Sequence, residues 1–423
     1  MNMNDSSTGT PLDLGKWRNV PKLLMGVGGA LSLIGLFVNR EQFAYSWLLS
    51  FMFFLSLCLG SLFLILMHHL FDASWTVPIR RFCEHIAALA FPWMAVLFLP
   101  IAILAPDIYT WMHVNPQFDH ALRVKQPLFT WWMFDIVAIF CFLVWGVLAH
   151  RLRYWSLQQD KTGEARATHR MRRYSGPGIY LYALSLTIAA IMWVKALDYQ
   201  WYSTIYGVYY FAGSVWLAIA TAYIITMVLD RQGILTPVMH EHQYYYLGSL
   251  LFAFTVFYAY IAFAQYFIIW NGNMPDETFW YVLRERGTWW WISMVIIFGH
   301  FFVPFLGLLR IDVKNVFAYM TPLCIWAWAM HWVDLCFNIM PVLHPAGFAP
   351  SWQDVTCFAF MGGLLSWRFL AEFAKYPPYP IKDPRLSEAM GLYHPIPAQM
   401  SGAELDQTDE FPDAPPQFGG TNQ

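Results

Sequence analysis

SWLLSFMFFLSLCLGSLFLILMHHLFDASWTVPIRR, running from Ser46 to Arg81, decides the fold. From Ser46 to Met67 it holds no charged residue. That is long enough to cross a bilayer, which takes about 20 mainly apolar residues. It then gives way to His68-His69, Asp72, a turn closed by Pro78, and Arg80-Arg81. An apolar run ending in a short polar turn predicts a transmembrane helix that leaves the membrane and re-enters it. Outward from this stretch the pattern recurs. Ten spans are predicted: 22–38, 45–67, 86–105, 128–149, 178–197, 205–229, 245–269, 288–309, 316–339 and 353–374.

Composition agrees. The 423 residues are 58% hydrophobic, 19% aromatic and 12% charged, with a mean hydropathy of +0.42. A soluble chain carries about a quarter charged residues, so polar surface is too scarce here for a globule in water. This excludes a soluble enzyme, a disordered chain and a nucleic-acid binder. Cys58, Cys83, Cys141, Cys324, Cys336 and Cys357 form no C-x-x-C or C-x-x-C-H, so no metal site is expected among them. No secretory signal peptide is expected in the first 20 residues. The Pro-, Gly- and acid-rich tail from Tyr376 onward reads as an exposed arm.

With ten spans both termini share one side, and that side collects 18 of the 25 Lys and Arg, from Lys16 to Arg385. The opposite side holds only Arg40, Arg123, Lys125, Arg284 and Arg286. Positive charge accumulates in the cytoplasm, so both termini are expected there.

Spans two to five resemble spans six to nine. LFDASWTVP pairs Asp72 with Asp230 of VLDRQGILTP, and Thr130-Trp131-Trp132 pairs with Thr288-Trp289-Trp290, both 158 positions apart. Pro116 and Pro275 are 159 apart, and Trp193-Val194-Lys195 aligns with Trp332-Val333-Asp334. Four helices between copies make the repeats parallel. The expected fold class is therefore an all-α integral membrane protein of ten transmembrane helices, with two parallel-repeat four-helix bundles (helices 2–5 and 6–9) flanked by helices 1 and 10. The segments are 1–21, an N-terminal cytoplasmic piece; 22–44, helix one and its loop; 45–200 and 201–340, the bundles; 341–375, helix ten; and 376–423, the tail.

Ionisable residues inside a span are functional candidates by default. Asp135 lies about two turns into span four. Lys195 and Asp198 are spaced i, i+3 near the end of span five, and His331 with Asp334 repeats that spacing in span nine. Arg368 and Glu372 are spaced i, i+4 in span ten, and His300 lies mid-span in span eight. Each pair reads either as a proton or quinone site or as a neutralising pair that holds helices together. A second group, His68, His69, Asp72, Glu84 and His85 with Arg80 and Arg81, stands at the cytoplasmic ends of spans two and three. Its counterpart is Asp230 with His240, Glu241 and His242. Histidine titrates near neutrality, so these are proton-entry candidates, against the plain alternative that wet helix ends are polar. A b-type haem needs two histidines facing each other at matched depth, but His68, His69, His85, His240 and His242 stand at helix termini and His300 and His331 lie on adjacent spans without a repeated pair, so haem is not expected.

Ten spans, two bundles with an outer helix on each side, and the segment MHHLFDASWTVPIRRFCEH (residues 67–85) together resemble the NrfD/PsrC-type membrane subunits. Over roughly residues 20–375 the chain is most similar to the ActF type, the second NrfD-like subunit of bacterial alternative complex III. The resemblance implies a multi-pass subunit of the bacterial inner membrane, part of a quinol:cytochrome c or quinol:oxidase oxidoreductase. It implies an ActC-type paralogue, an iron–sulfur subunit, multihaem cytochromes c and a terminal oxidase as partners, with no nucleic acid. No covalent or metal-ligated cofactor is implied in this chain; the ligand would be a quinone or quinol, menaquinone or ubiquinone. The family's quinol pocket lies near the periplasmic end of the first bundle and uses a His and an Asp. Here Asp135 and Asp198 are offered at that depth, without a histidine. The resemblance thus implies support of quinone interaction or proton conduction. A secondary transporter and a purely structural scaffold are the competing expectations.

Overall fold

The computed structural model describes residues 19–392. Expectations for the segment before Asn19, with Lys16 and Arg18, and for the tail after Leu392 lie outside them. The described residues are helical, with no strand among them. The principal helices are α1 Asn19–Val38, α2 Arg40–Phe71, α3 Ser74–Ile108, α4 Trp131–Thr162, α5 Ala165–Trp193, α6 Tyr206–Arg231, α7 Glu241–Gly272, α8 Trp289–Leu308, α9 Phe317–Val342 and α10 Trp352–Phe373. Among the described residues α1 to α9 are long and apolar enough to cross a membrane. The protein is a multi-pass membrane protein. α10 is long enough, but Gln353, Asp354, Arg368 and Glu372 dilute its apolarity.

Each boundary has a local cause. α2 starts where the Asn39 side chain accepts from the Gln42 N–H at 3.1 Å, and stops where Asp72 turns left-handed (φ 55°, ψ 40°). Hydroxyls buried between helices have no water to bond, so they bond back within their own helices: Ser50 to Ser46 O at 2.9 Å, Ser214 to Tyr210 O at 2.7 Å, Thr221 to Leu217 O at 2.8 Å.

α2 and α6 form the centre. The share of the apolar window buried is 89% in α2 and 83% in α6, against 22% in α1 and α8. α3 and α5 pack on α2; α7 and α9 pack on α6; α1 pairs with α10, which also lies against α2. The α2–α6 contact is backbone to backbone. A Cβ added at Gly60 would run into the Ser214 carbonyl and lie 2.7 Å from Ala218 Cβ. Gly60→Ala is therefore expected to force the central helices apart, costing about 2–3 kcal/mol. The check is the thermal midpoint of the purified protein beside Gly26→Ala, where a Cβ meets nothing.

The helices join two polar rims. One carries the turns at 72–80, 160–165 and 231–241, and is the basic rim; the other carries Asp107, Asp119, Asp198, Arg284 and His344. One expectation is corrected at the basic rim. The tail is not an exposed arm over its described part. Residues 376–392 lie across this rim, with Asp383 and Ala389 buried. They cover it because Gln243 donates to Ala389 O at 2.6 Å, the Ile381 N–H donates to Asp160 at 2.9 Å, and Asp383 is drawn to Arg80.

Candidate functional site

In the C-terminal third of α9 stands the buried carboxylate of Asp334. Tyr258 of α7 donates to it at 2.6 Å, and Tyr209 of α6 donates to the same oxygen; the two hydroxyls are 2.8 Å apart. Asn338, one turn on, reaches Asp334 Oδ1 at 3.4 Å and accepts from Tyr206 at 3.0 Å. The residues come from three helices, and the spacing 206, 209 on α6 and 334, 338 on α9 puts each pair on one helix face.

Asn338 links this group to the opposite rim. Its main-chain carbonyl accepts from Arg284 at 3.1 Å, and the same guanidinium nitrogen lies 3.3 Å from Asp198 Oδ2. Arg284 is fully buried, lies 3.5 Å above the Trp280 ring, and also donates to Phe337 O at 2.9 Å and Trp280 O at 3.0 Å. A buried guanidinium is tolerated because its donors are met in this way. The Asp198 side chain is 15% exposed, so the chain of polar groups reaches from the rim to Asp334.

Two histidines lie beside it. His331 Nε2 is 2.9 Å from Ser56 Oγ, whose hydrogen goes to Phe53 O at 2.7 Å. Ser56 is therefore the acceptor and His331 carries its proton on Nε2. His300 is sandwiched between Trp216 (centroids 4.0 Å apart) and Tyr258 (3.8 Å), with neither ring nitrogen partnered. It sits in the π-helical stretch Ile296–Phe302 of α8, a widening that recurs at functional sites.

Several expectations need correcting here. Lys195 and Asp198 do not pair. α5 ends at Trp193 and residues 195–198 form a tight 3₁₀ turn, and each of the two side chains is taken by a group from elsewhere in the chain. Asp198 pairs with Arg284; Lys195 is buried with its ammonium 5.6 Å from the Tyr202 ring, beside Lys125. His331 and Asp334 likewise do not bond to each other, each being taken by other helices. Asp135 is on the outer surface of α4 beside exposed Trp131, Trp132 and Ile136, not inside a bundle. Arg368 does meet Glu372, at 3.5 Å, together with Arg153 and Lys375.

The depth offered for a quinol ring in the first half is filled with the protein's own rings. Phe98 is 4.7 Å from Trp193, Phe142 stacks on Trp193 at 5.8 Å, and Phe51 closes on Phe98 at 5.6 Å, all buried. Asp135 is outside, and the histidines of this rim, His113, His120 and His344, lie outside the spanning helices, so these packed rings do not fit a quinone.

The basic-rim group is a lattice of buried ion pairs. Arg81 meets Glu84 at 2.9 Å and also Asp160; Arg80 meets Asp383 at 2.5 Å. Arg80 Nε lies 3.1 Å from Glu84 Oε1 as a charge pair without hydrogen-bond alignment. At its part-exposed edge Arg172 and Arg385 both hold Asp72. His68 is committed. Arg80 approaches its Nε2 at 2.8 Å and has only donors, so Nδ1 carries the hydrogen and donates to Thr76 at 2.5 Å. His69 Nε2 and both nitrogens of His85 are buried without partners, His85 packing against Phe373 and Tyr376. The second-repeat counterparts do not converge. His240, Glu241 and His242 are exposed, His240 bonding to Met390 O at 3.0 Å, and Asp230 accepts from Thr236. Among the described residues no hydrogen-bonded chain joins the rim lattice to Asp334.

Asp383 adds a pH dependence. Burial alone would raise its carboxyl, but Arg80 and the Arg385 N–H outweigh that and hold it below the ordinary 3.8. A depressed acid stabilises the folded state above the unfolded value and loses that contribution as pH falls through the folded one. The tail is thus expected to stay docked above about pH 4 and to loosen below it. Limited digestion with an acid-active protease should cut at residues 376–392 only below that pH. In Asp383→Asn cleavage should occur above it too.

No protein-family model matches the chain, and no curated protein matches it.

Asp334, Lys195 and His331 were legible as ionisable groups inside apolar spans, and Asp198 as one at the end of span five. Tyr206, Tyr209, Tyr258, Asn338, Ser56 and Arg284 were not, because in a chain this rich in aromatics a tyrosine carries no signal of its own. Arg284 gave the only hint, as one of five cations on the poorly charged side.

Proposed function

We propose that the chain is a membrane subunit of a quinol:cytochrome c or quinol:oxidase oxidoreductase of the alternative complex III type, and that its own contribution is a proton path. The observation that carries this is the buried Asp334 carboxylate, joined through Asn338 and Arg284 to Asp198 at the rim. An acid at membrane depth is costly to keep, and tyrosines, a hydroxyl and two histidines around it are groups that hold and pass protons. In this role Asp334 takes the proton, Tyr209 and Tyr258 orient it, and Arg284 sets the charge between it and Asp198. Electrons would run through haems and iron–sulfur clusters in partner subunits. Quinol oxidation is left to a paralogous subunit, since the matching depth here is packed with rings.

The finer architecture belongs to the same proposal. α10 is the tenth crossing, the α2–α5 and α6–α9 halves are parallel repeats, and the basic rim with both termini faces the cytoplasm. The similar central placement of α2 and α6 supports the repeat.

Purification from native membranes tests the assignment. Co-isolation with multihaem cytochromes and an iron–sulfur protein is the expected result. Isolation alone, with solute uptake in liposomes, would replace it by a transporter.

A further inference from the structure

On the outer surface, between α3 and α4, lies a groove of about 240 Å³. It exists because α3 breaks at Phe91, whose backbone is extended (φ −141°, ψ 134°). The break sends the Ala95 N–H to Pro92 O and leaves Phe91 O to His150 Nε2 at 2.8 Å. A carbonyl only accepts, so His150 is the donor and is committed to that contact. Gly146 completes the floor: a Cβ there would lie 3.0 Å from Phe91 Cβ. The walls are Phe142, Leu143 and Val147, the last two more than half exposed.

The groove is apolar along its length and cationic at one end. α4 changes there from LVWGVLA to His150-Arg151, at the level where the chain leaves the apolar layer for the basic rim. Arg153 is occupied by Glu372 at 3.2 Å, whereas Arg151 lines the groove, is exposed, and has no ion-pair partner among the described residues. An apolar trough ending in an unpaired guanidinium at the membrane boundary complements one class of molecule, an acyl chain carrying a phosphate.

We propose that this groove is a binding site for an anionic phospholipid, with one acyl chain along Phe142, Leu143 and Val147 and the phosphate on Arg151. The site is separate from the Asp334 group and does not depend on the function proposed for it.

The full protein, purified in mild detergent and examined by native mass spectrometry with lipid extraction, tests this. The wild type should retain phosphatidylglycerol or cardiolipin in preference to phosphatidylethanolamine. Arg151→Gln, at an exposed position, should lower the retained anionic lipid about fivefold. Val147→Trp, which fills the trough, should lower it too, while Arg310→Gln, an exposed cation elsewhere, should not. Equal retention in Arg151→Gln and wild type, or a zwitterionic lipid or quinone bound in its place, would overturn the proposal. Should Val147→Trp fold poorly, Arg151→Gln decides alone.

Discussion

Under the proposed function, Asp334→Asn is expected to slow proton movement through the assembled complex by about tenfold or more while leaving the complex intact. The substitution keeps size and one acceptor oxygen, so Tyr258, 2.6 Å away, still finds a partner. What it removes is the capacity to bind and release a proton at that depth. The readout is proton release and uptake coupled to quinol turnover, followed with a pH-sensitive dye in proteoliposomes of the native complex. Co-isolation of the partner subunits serves as the assembly control. Tyr258→Phe should give a smaller loss, because Tyr209 remains on the same carboxylate. If Asp334→Asn leaves proton movement unchanged in an intact complex, the site is a helix-joining network and the chain is a scaffold.

Glu84→Gln is expected to have the largest effect on stability. Glu84 is fully buried between Arg80 and Arg81, meeting them at 3.1 and 2.9 Å. Neutralising it leaves two guanidiniums in a low-dielectric site with only Asp383 and Asp160. Breaking a buried pair from one side costs about 3–5 kcal/mol when the charge left behind has no other partner; each guanidinium here keeps one carboxylate, so the lower end, about 3 kcal/mol, is expected. The expected result is a large fall in the thermal midpoint and loose docking of residues 376–392. A control separates charge from packing: Arg81→Met with Glu84→Met takes out one arginine with the acid, keeps the Arg80–Asp383 pair and leaves Asp160 with the Ile381 N–H, and should recover part of the loss. Equal destabilisation in the single and double variants would mean that shape, not charge, holds this rim together.

The two predictions divide the buried charges by role. At the basic rim every acid of the lattice is answered by an arginine, which makes a rigid joint among α2, α3, α4 and the tail. Around Asp334 the partners are neutral hydroxyls and an amide, and the nearest cation, Arg284, is held one residue away through Asn338. A carboxylate with neutral partners keeps the freedom to change protonation that an ion-paired one has lost.

Sequence alone was enough for the apolar windows, the positions of nearly all the helices and the uneven sorting of charge. These are sums over local composition, and a bilayer demands them wherever the chain crosses. Tertiary structure alone decided which charges meet. Asp198 finds Arg284, 86 positions away, instead of Lys195 three residues before it, because packing brings the buried Arg284 guanidinium to it. Asp135 turned outward although its depth resembled that of a buried site. A helix that touches both lipid and protein is apolar on every side, so its pattern does not distinguish the face toward the bilayer from the face toward its neighbours. That choice is made only when the helices pack.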